Sequence, residues 1–158
     1  MESKTIVLLA IIVMFSFSAL SGCIGDKDTA GIKKTPPADA SCRDLLPRNV
    51  TGFTLVNVSD KWASLIGAEE GVGGDYAIDG NGSQAQITME IYKVGNEGDI
   101  ESVKEKIEGY ISGKYIIFSS GLFLFVVEDI DWGGDINDMD VPEEMMQQLA
   151  EATGYYSP

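Results

Sequence analysis

The fold is decided by the stretch Ala85-Gln86-Ile87-Thr88-Met89-Glu90-Ile91-Tyr92, in which apolar and polar side chains alternate. Successive side chains of a β-strand point to opposite faces of the sheet, so an alternation of this kind predicts a strand with one buried face and one face toward water. Such half-covered strands are typical of antiparallel sheets. This stretch therefore predicts a sheet with a core on at least one side.

The segment that follows this strand has the period of a helix instead. We expect Asp99 to cap a helix that runs to about Ser112, with Gly113 closing it. Its apolar residues recur every three or four positions and form one stripe, while the intervening charged residues face solvent. The stripe consists of Ile100, Val103, Ile107, Tyr110 and Ile111.

The remaining elements complete a sheet with several hairpins. Strands are predicted over residues 53–58, 75–78, 115–118 and 122–127, a Gly-rich loop over 69–74, and short and closing helices within 60–68 and after Pro142. The major elements have the order β-β-β-α-β-β-α, and hairpins join most of the strands. We therefore predict an α+β fold, an antiparallel sheet with helices on one face in a two-layer sandwich.

The beginning of the chain has the pattern of an export signal. An apolar run, Ile6 to Phe15, follows Lys4 and leads to Leu20-Ser21-Gly22-Cys23. These four residues resemble the lipobox of prokaryotic lipoproteins. The resemblance implies that Cys23 receives a diacylglycerol and becomes the first residue of the mature protein.

This resemblance organises the chain into three parts. Residues 1–22 would form the signal peptide, and residues 23–41 the lipidated cysteine and a flexible tether rich in Asp, Lys, Thr, Gly, Ala and Pro. Residues 42–158 would form a single globular domain. The stretch Leu45-Leu46-Pro47 followed by Gly52-Phe53 is also similar to uncharacterised prokaryotic lipoproteins, a likeness that implies no activity.

The net charge excludes one class of partner. The chain carries 25 acidic against 11 basic residues, a formal charge of −14. Nucleic acid is bound by Lys and Arg that neutralise phosphates, so a nucleic-acid partner is not expected. Anionic lipid headgroups would also repel this surface. An acidic surface of this kind favours solubility or cation capture.

Cysteine and histidine usage limits the chemistry further. Once Cys23 is lipidated, Cys42 is the only remaining thiol, so an internal disulfide is impossible. Because the chain has no histidine to act as its base, we expect Cys42 to be structural and not a nucleophile. Pairing of Cys42 between chains remains an alternative.

Three acceptor patterns for Asn-linked glycans are present, at Asn49, Asn57 and Asn81. The pattern is short, so each one is only a weak prediction of glycosylation. Together with the lipobox, the three fit an archaeal surface protein.

The best candidate for chemistry is the acidic segment from Asp129 to Asp140. Compared with a calcium-binding EF-hand loop, it places oxygen ligands at Asp129, Asp131, Asp135, Asn137 and Asp140. It departs from that pattern because Gly133 stands at one ligand position and Asp140 is shorter than the usual Glu. A weak calcium site and a solvated acidic loop are both compatible with these residues. Calcium is the one cofactor that the sequence suggests.

Other conspicuous side chains favour structural roles. Trp62 and Trp132 are expected to anchor the core, as most tryptophans do. No Ser-His or Cys-His pair is available for catalysis. The sequence therefore predicts a membrane-anchored, outward-facing binding or interaction module, with a probable protein partner in the cell envelope. The alternatives are a weak calcium-binding surface protein and a small Asp/Glu-dependent hydrolase.

Overall fold

The alternating stretch forms the central strand of a five-stranded antiparallel sheet. The structure is a computed structural model that describes residues 34–81, 84–130 and 141–158. The strands have the spatial order β1-β2-β3-β5-β4. Their bounds are β1 (Phe53–Asp60), β2 (Glu70–Ile78), β3 (Ile87–Lys93), β4 (Tyr115–Ser120) and β5 (Phe123–Asp129). The predicted α+β class and antiparallel sheet are confirmed.

The helices connect and cover these strands. In the described part of the chain they are α1 (Cys42–Leu45), α2 (Ala63–Ile66), α3 (Ile100–Glu108) and α4 (Glu143–Ala152). Apart from the one-turn helices α1 and α2, the order of elements is the predicted one. None of the helices within the described ranges is long and apolar enough to cross a membrane.

One face of the sheet packs against α1 and α4. The inward side chains of the central strands, among them Ile87, Met89 and Phe125, are fully buried there together with Met146 and Leu149 of α4. The face also takes up Tyr155 and Tyr156 from the end of the chain. This layer is the larger of the two apolar cores.

The opposite face packs against α2 and α3. Val103 and Ile107 of α3 lie with Ile66 of α2 over Leu124 and Val126 of β5. The helices therefore cover both faces of the sheet, whereas the sequence predicted helices on one face in a two-layer sandwich. The first five residues of β5, Phe123 to Val127, are all apolar and buried, so their side chains need a cover on each side of the sheet, which explains this difference.

The Gly-rich stretch after Glu69 is part of strand β2 and not the predicted loop. A Cβ atom at Gly71 would lie 2.9 Å from the ring of Tyr92 and 3.2 Å from Cβ of Ala63. The glycine thus allows the Tyr92 ring and helix α2 to approach the backbone of β2 closely. The glycines of this strand allow close packing. Because a stretch with many glycines is typical of a loop, the sequence predicted a loop here instead of a strand.

The start of α3 also differs from the prediction. A 3₁₀ turn, Glu97–Asp99, precedes the helix, and the side chain of Asn96 caps that turn by accepting a hydrogen bond from Gly98 N–H at 2.8 Å. Asp99 makes no capping bond with its side chain. The helix ends at Glu108, before the predicted Ser112.

Candidate functional site

Most of the predicted calcium ligands lie outside the described residues, namely Asp131, Asp135, Asn137 and Asp140. Asp129 is described, and its Oδ1 accepts a hydrogen bond from the Lys114 backbone N–H at 2.9 Å. Within residues 34–81, 84–130 and 141–158, no group of three acidic, cysteine or histidine side chains is arranged to hold a metal ion. The calcium site stays a prediction.

The predicted lipid acceptor Cys23 also lies outside the described residues. The three glycan acceptors are described, and all three residues are exposed. Asn49 lines a broad open groove beside Phe53. Asn57 differs from the others, because its Nδ2 donates a hydrogen bond to Asp75 at 2.9 Å and its amide nitrogen is therefore engaged.

Cys42 is completely buried in the core beside β2. Burial raises the pKa of its thiol to about 12, and the negative charge of Glu70 acts in the same direction. The thiol is therefore neutral at physiological pH, whereas a nucleophilic cysteine must be a thiolate. These properties support the predicted structural role and disfavour a disulfide between chains.

A row of polar side chains crosses the sheet on the α2/α3 face. Asp75 of β2 stands opposite Thr88 of β3, and Thr88 stands opposite Glu128 of β5. The two carboxylate oxygens of Asp75 accept hydrogen bonds at 2.9 Å from Thr88 Oγ1 and Asn57 Nδ2. Asp75 is thus fixed by both neighbouring strands.

An ion pair lies next to this row. Lys61, just after β1, reaches across β2 to the carboxylate of Glu90 on β3, which also accepts a hydrogen bond from Tyr92 Oη at 2.7 Å. The path of the lysine runs over Gly73, where any Cβ atom would collide with Lys61. Only 13% of the Glu90 side chain is exposed, so its charge depends on this partner.

Glu128 has the most perturbed carboxyl group in the cluster. Its pKa is raised from 4.5 to about 7, chiefly by burial and also by the negative charges of Glu90 and Asp129, while the positive charge of Lys61 lowers it. Glu128 lies one diagonal step from Glu90 on the neighbouring strand. Near neutral pH, the Glu128 carboxyl group is therefore protonated in some molecules and ionised in others.

The Lys61-Glu90-Glu128 cluster can take up a proton near pH 7 and can donate a hydrogen bond from Glu128. Acid-base catalysis would also need a free carboxylate nearby, but Glu90 is engaged by Lys61 and Tyr92. The sequence alone did not predict this cluster. The alternation of residues 85–92 indicated that Glu90 lies on the polar side of its strand. The strand register that places Glu128 beside Glu90 could not be predicted from the sequence.

Trp62 is not a core anchor, contrary to the prediction. Its side chain is 80% exposed, and Leu65, one helical turn further on, is 68% exposed. The buried residues of α2 are Ala63 and Ile66 instead. Trp132 lies outside the described residues.

The outer edge of β4 is open among the described residues, since β4 pairs with β5 alone. The backbone N–H of Asp129 donates to the carbonyl of Lys114 at 3.2 Å, and hydrogen-bonded pairs alternate along an antiparallel ladder. The bonded residues of β4 are thus Ile116 and Phe118. The main-chain groups of Tyr115, Ile117 and Ser119 point away from the sheet.

The edge strand β1 is protected, in contrast. A bulge interrupts its ladder at Val56, and Asp60 at its end pairs with Arg43 of α1 at 2.7 Å. Bulges and charges are the usual means by which proteins prevent strand addition. Strand β4 has the sequence Tyr-Ile-Ile-Phe-Ser-Ser, without a charge, a proline or a bulge.

Comparisons with known proteins add no family or fold relationship, because no protein-family model, curated protein or solved structure matches this chain.

Proposed function

We propose that this protein is a membrane-anchored lipoprotein whose domain faces the exterior or periplasm and binds a protein partner of the envelope. The observation that carries the binding role is the edge of β4, which has no charged residue and pairs with no described strand other than β5. Extended peptide segments bind such edges by adding a strand, with affinity from main-chain hydrogen bonds. The partner would thus present an extended segment to Tyr115, Ile117 and Ser119.

The anchor is supported by the lipobox-like sequence that ends at Cys23. A diacylglycerol provides two acyl chains, and two chains are what stable membrane attachment requires. The domain has contacts to the chain from Lys34 onward, since Ser120 Oγ donates to the Lys34 carbonyl at 3.2 Å. The spacer between anchor and domain is therefore shorter than the predicted tether.

The two cysteines allow a matched test of the anchor. When the protein is produced in a prokaryotic host with a labelled fatty acid, we expect the label in the wild type and in Cys42→Ala, because Cys42 is buried and Cys23 is the acceptor. Cys23→Ser should carry no label and should keep residues 1–22. Label on Cys23→Ser, or its loss from Cys42→Ala alone, would contradict this assignment.

A proline at Ser119 tests the β4 edge. Ser119→Pro removes one outward N–H and leaves the bonds to β5 intact, and proline is tolerated on edge strands. A lost hydrogen bond in a partly buried interface costs about 1–3 kcal/mol, so binding of the envelope partner should fall by about 5- to 150-fold. Recovery of the partner after crosslinking in intact cells measures this effect.

Ser119→Ala is the control, because it removes the hydroxyl and retains the N–H. It should recover the partner as well as the wild type does. Equal recovery with Ser119→Pro, at an unchanged melting temperature, would rule out strand addition at β4.

The alternatives left by the sequence have less support. A weak calcium-binding function depends on residues 131–140, and Asp129 already accepts a backbone hydrogen bond. A small Asp/Glu-dependent hydrolase would use Glu128, whose neighbour Glu90 is held by Lys61. Among the described residues, neither alternative is supported by a site as well defined as the β4 edge.

A further inference from the structure

We infer that the end of the sheet that carries Trp62 and Leu65 rests on the membrane, with both side chains in the interfacial region of electrically neutral lipids. This inference depends on the proposed lipid anchor at Cys23. It adds a second membrane contact, formed by the folded domain itself, and thereby an orientation of the domain on the bilayer.

The first observation is that Trp62 and the incoming chain lie at the same end of the sheet. Lys93 at the end of β3 pairs with Phe123, and Phe123 pairs with Ser120 at the end of β4. At this end Glu70 also pairs with Lys93. Trp62 follows the end of β1 there, since the neighbouring Lys61 N–H donates to the Gly71 carbonyl at 2.9 Å.

The second observation is where the chain from the anchor joins the domain. The Lys34 carbonyl is bonded to Ser120, and the Lys34 ammonium lies 5.7 Å from the ring centre of Tyr155. Thr35 packs against Gly121, and Pro36 is buried. The segment that begins at Lys34 is thus held at the Trp62 end of the sheet.

The distance from anchor to domain is short as a consequence. Eleven peptide steps separate Cys23 from Lys34. The covalent geometry of the chain limits eleven steps to a span of at most about 36–40 Å. An anchored domain therefore keeps the Trp62 end close to the lipid surface, where its effective concentration is high enough for weak contacts to form.

The third observation is the chemistry of the two side chains. Residues three apart on a helix share a side, so Trp62 and Leu65 protrude together while Ala63 and Ile66 hold α2 on the sheet. Tryptophan is enriched at membrane-water interfaces because its ring is apolar and its N–H can bind water or headgroups. Leucine next to it adds apolar area that can enter the acyl boundary.

The charges at this end determine which lipid fits. Glu69, Glu97 and Asp99 are exposed there, and the whole chain has a formal charge of −14. The cations at this end already have partners within the domain: Arg43, Lys61, Lys93 and Lys106 are bound by Asp60, Glu90, the Ala40 carbonyl and the Ile66 carbonyl, and Lys34 lies over the Tyr155 ring. Anionic headgroups would repel these groups, with an energy that falls off over about 8–10 Å at physiological salt. The surface therefore matches zwitterionic lipid and not a negatively charged bilayer.

The opposite end of the sheet agrees with this orientation. Asn81 follows Ile78 at the end of β2, where Ile78 pairs with Phe53 at the start of β1. A glycan on Asn81 would accordingly point away from the bilayer. Tyr115, the first residue of β4, lies at this far end, about 16–17 Å from Ser120 along the strand.

Single-tryptophan variants test the contact directly. The full-length lipidated protein with Trp132→Phe retains Trp62 as its one tryptophan and is reconstituted in phosphatidylcholine vesicles, with bromine on the acyl chains in half of the samples. The interfacial depth expected for such a side chain is about 5–10 Å, within reach of the bromine, so the Trp62 emission should lose about half of its intensity and shift to shorter wavelength.

The matched control moves the reporter to the far end. In a protein with Trp62→Phe, Trp132→Phe and Tyr115→Trp, bromine should leave the emission unchanged. Replacing part of the lipid by phosphatidylglycerol should weaken quenching of Trp62, because the acidic end is repelled.

Vesicle flotation separates the two proposals. If the protein floats with the vesicles and Trp62 is not quenched, the membrane contact is refuted and the anchor stands. If the protein does not float, the anchor is refuted together with the contact. Equal quenching at positions 62 and 115 would also refute the orientation.

Discussion

Phe125→Ala should lower the free energy of unfolding by about 3–5 kcal/mol, the range for removing a fully buried Phe side chain. Phe125 has no exposed surface and lies on β5, an interior strand between β3 and β4. Its ring stacks on Phe118 with centroids 4.8 Å apart and contacts Tyr155 at 5.8 Å. The truncation would therefore open a cavity between the sheet and the end of the chain.

Urea unfolding followed by circular dichroism measures this loss. Tyr110→Ala serves as the control because that side chain is 79% exposed, and it should change stability by no more than about 0.5 kcal/mol. A loss below about 1 kcal/mol for Phe125→Ala would mean that this side of the sheet is not the packed core described above.

Glu128→Gln should make the protein more stable above neutral pH and remove a pH dependence. The folded protein holds the pKa of Glu128 at about 7, against 4.5 for a free carboxyl group. Between about pH 4.5 and 7, Glu128 ionises in the unfolded chain before it ionises in the folded protein. The free energy of the unfolded chain therefore falls relative to that of the folded protein as pH rises. Wild-type stability should fall over that window and level off above it.

The expected size of this effect is about 1–3 kcal/mol at pH 8, after allowance for partial solvent screening. Unfolding at pH 4 and pH 8 should thus separate wild type from Glu128→Gln only at the higher pH. Glu101→Gln, whose original side chain is 71% exposed on α3, is the matched control. A stability difference equal at both pH values would show that Glu128 does not titrate abnormally.

The sequence was sufficient to predict the sheet and its apolar faces. Ile87 has no exposed surface and Ile107 only 5%, as the alternating strand and the helical stripe predicted. Tyr110 was wrongly assigned to the stripe, because the helix ends at Glu108 and the Tyr110 side chain is 79% exposed. These patterns are dependable because a one-residue slip would turn every buried side chain toward water. The distribution of helices over two faces was harder to predict, since a continuously apolar strand indicates burial without saying what covers it.

The candidate site was harder to predict than the fold. Lys61, Glu90 and Glu128 are far apart in the sequence, and they meet because of the strand register and because Gly73 leaves room for the lysine. The exposure of Trp62 depends on which residues of the one-turn helix α2 face the sheet. A helix of four residues has too short a pattern to determine that.

Intact-mass measurement of the full-length protein extracted from a prokaryotic membrane tests whether lipid on Cys23 tethers this domain to the membrane. We expect a chain that begins at residue 23 and carries the added mass of a diacylglycerol. A chain that still begins at Met1, or one that is processed but has no lipid, would contradict it.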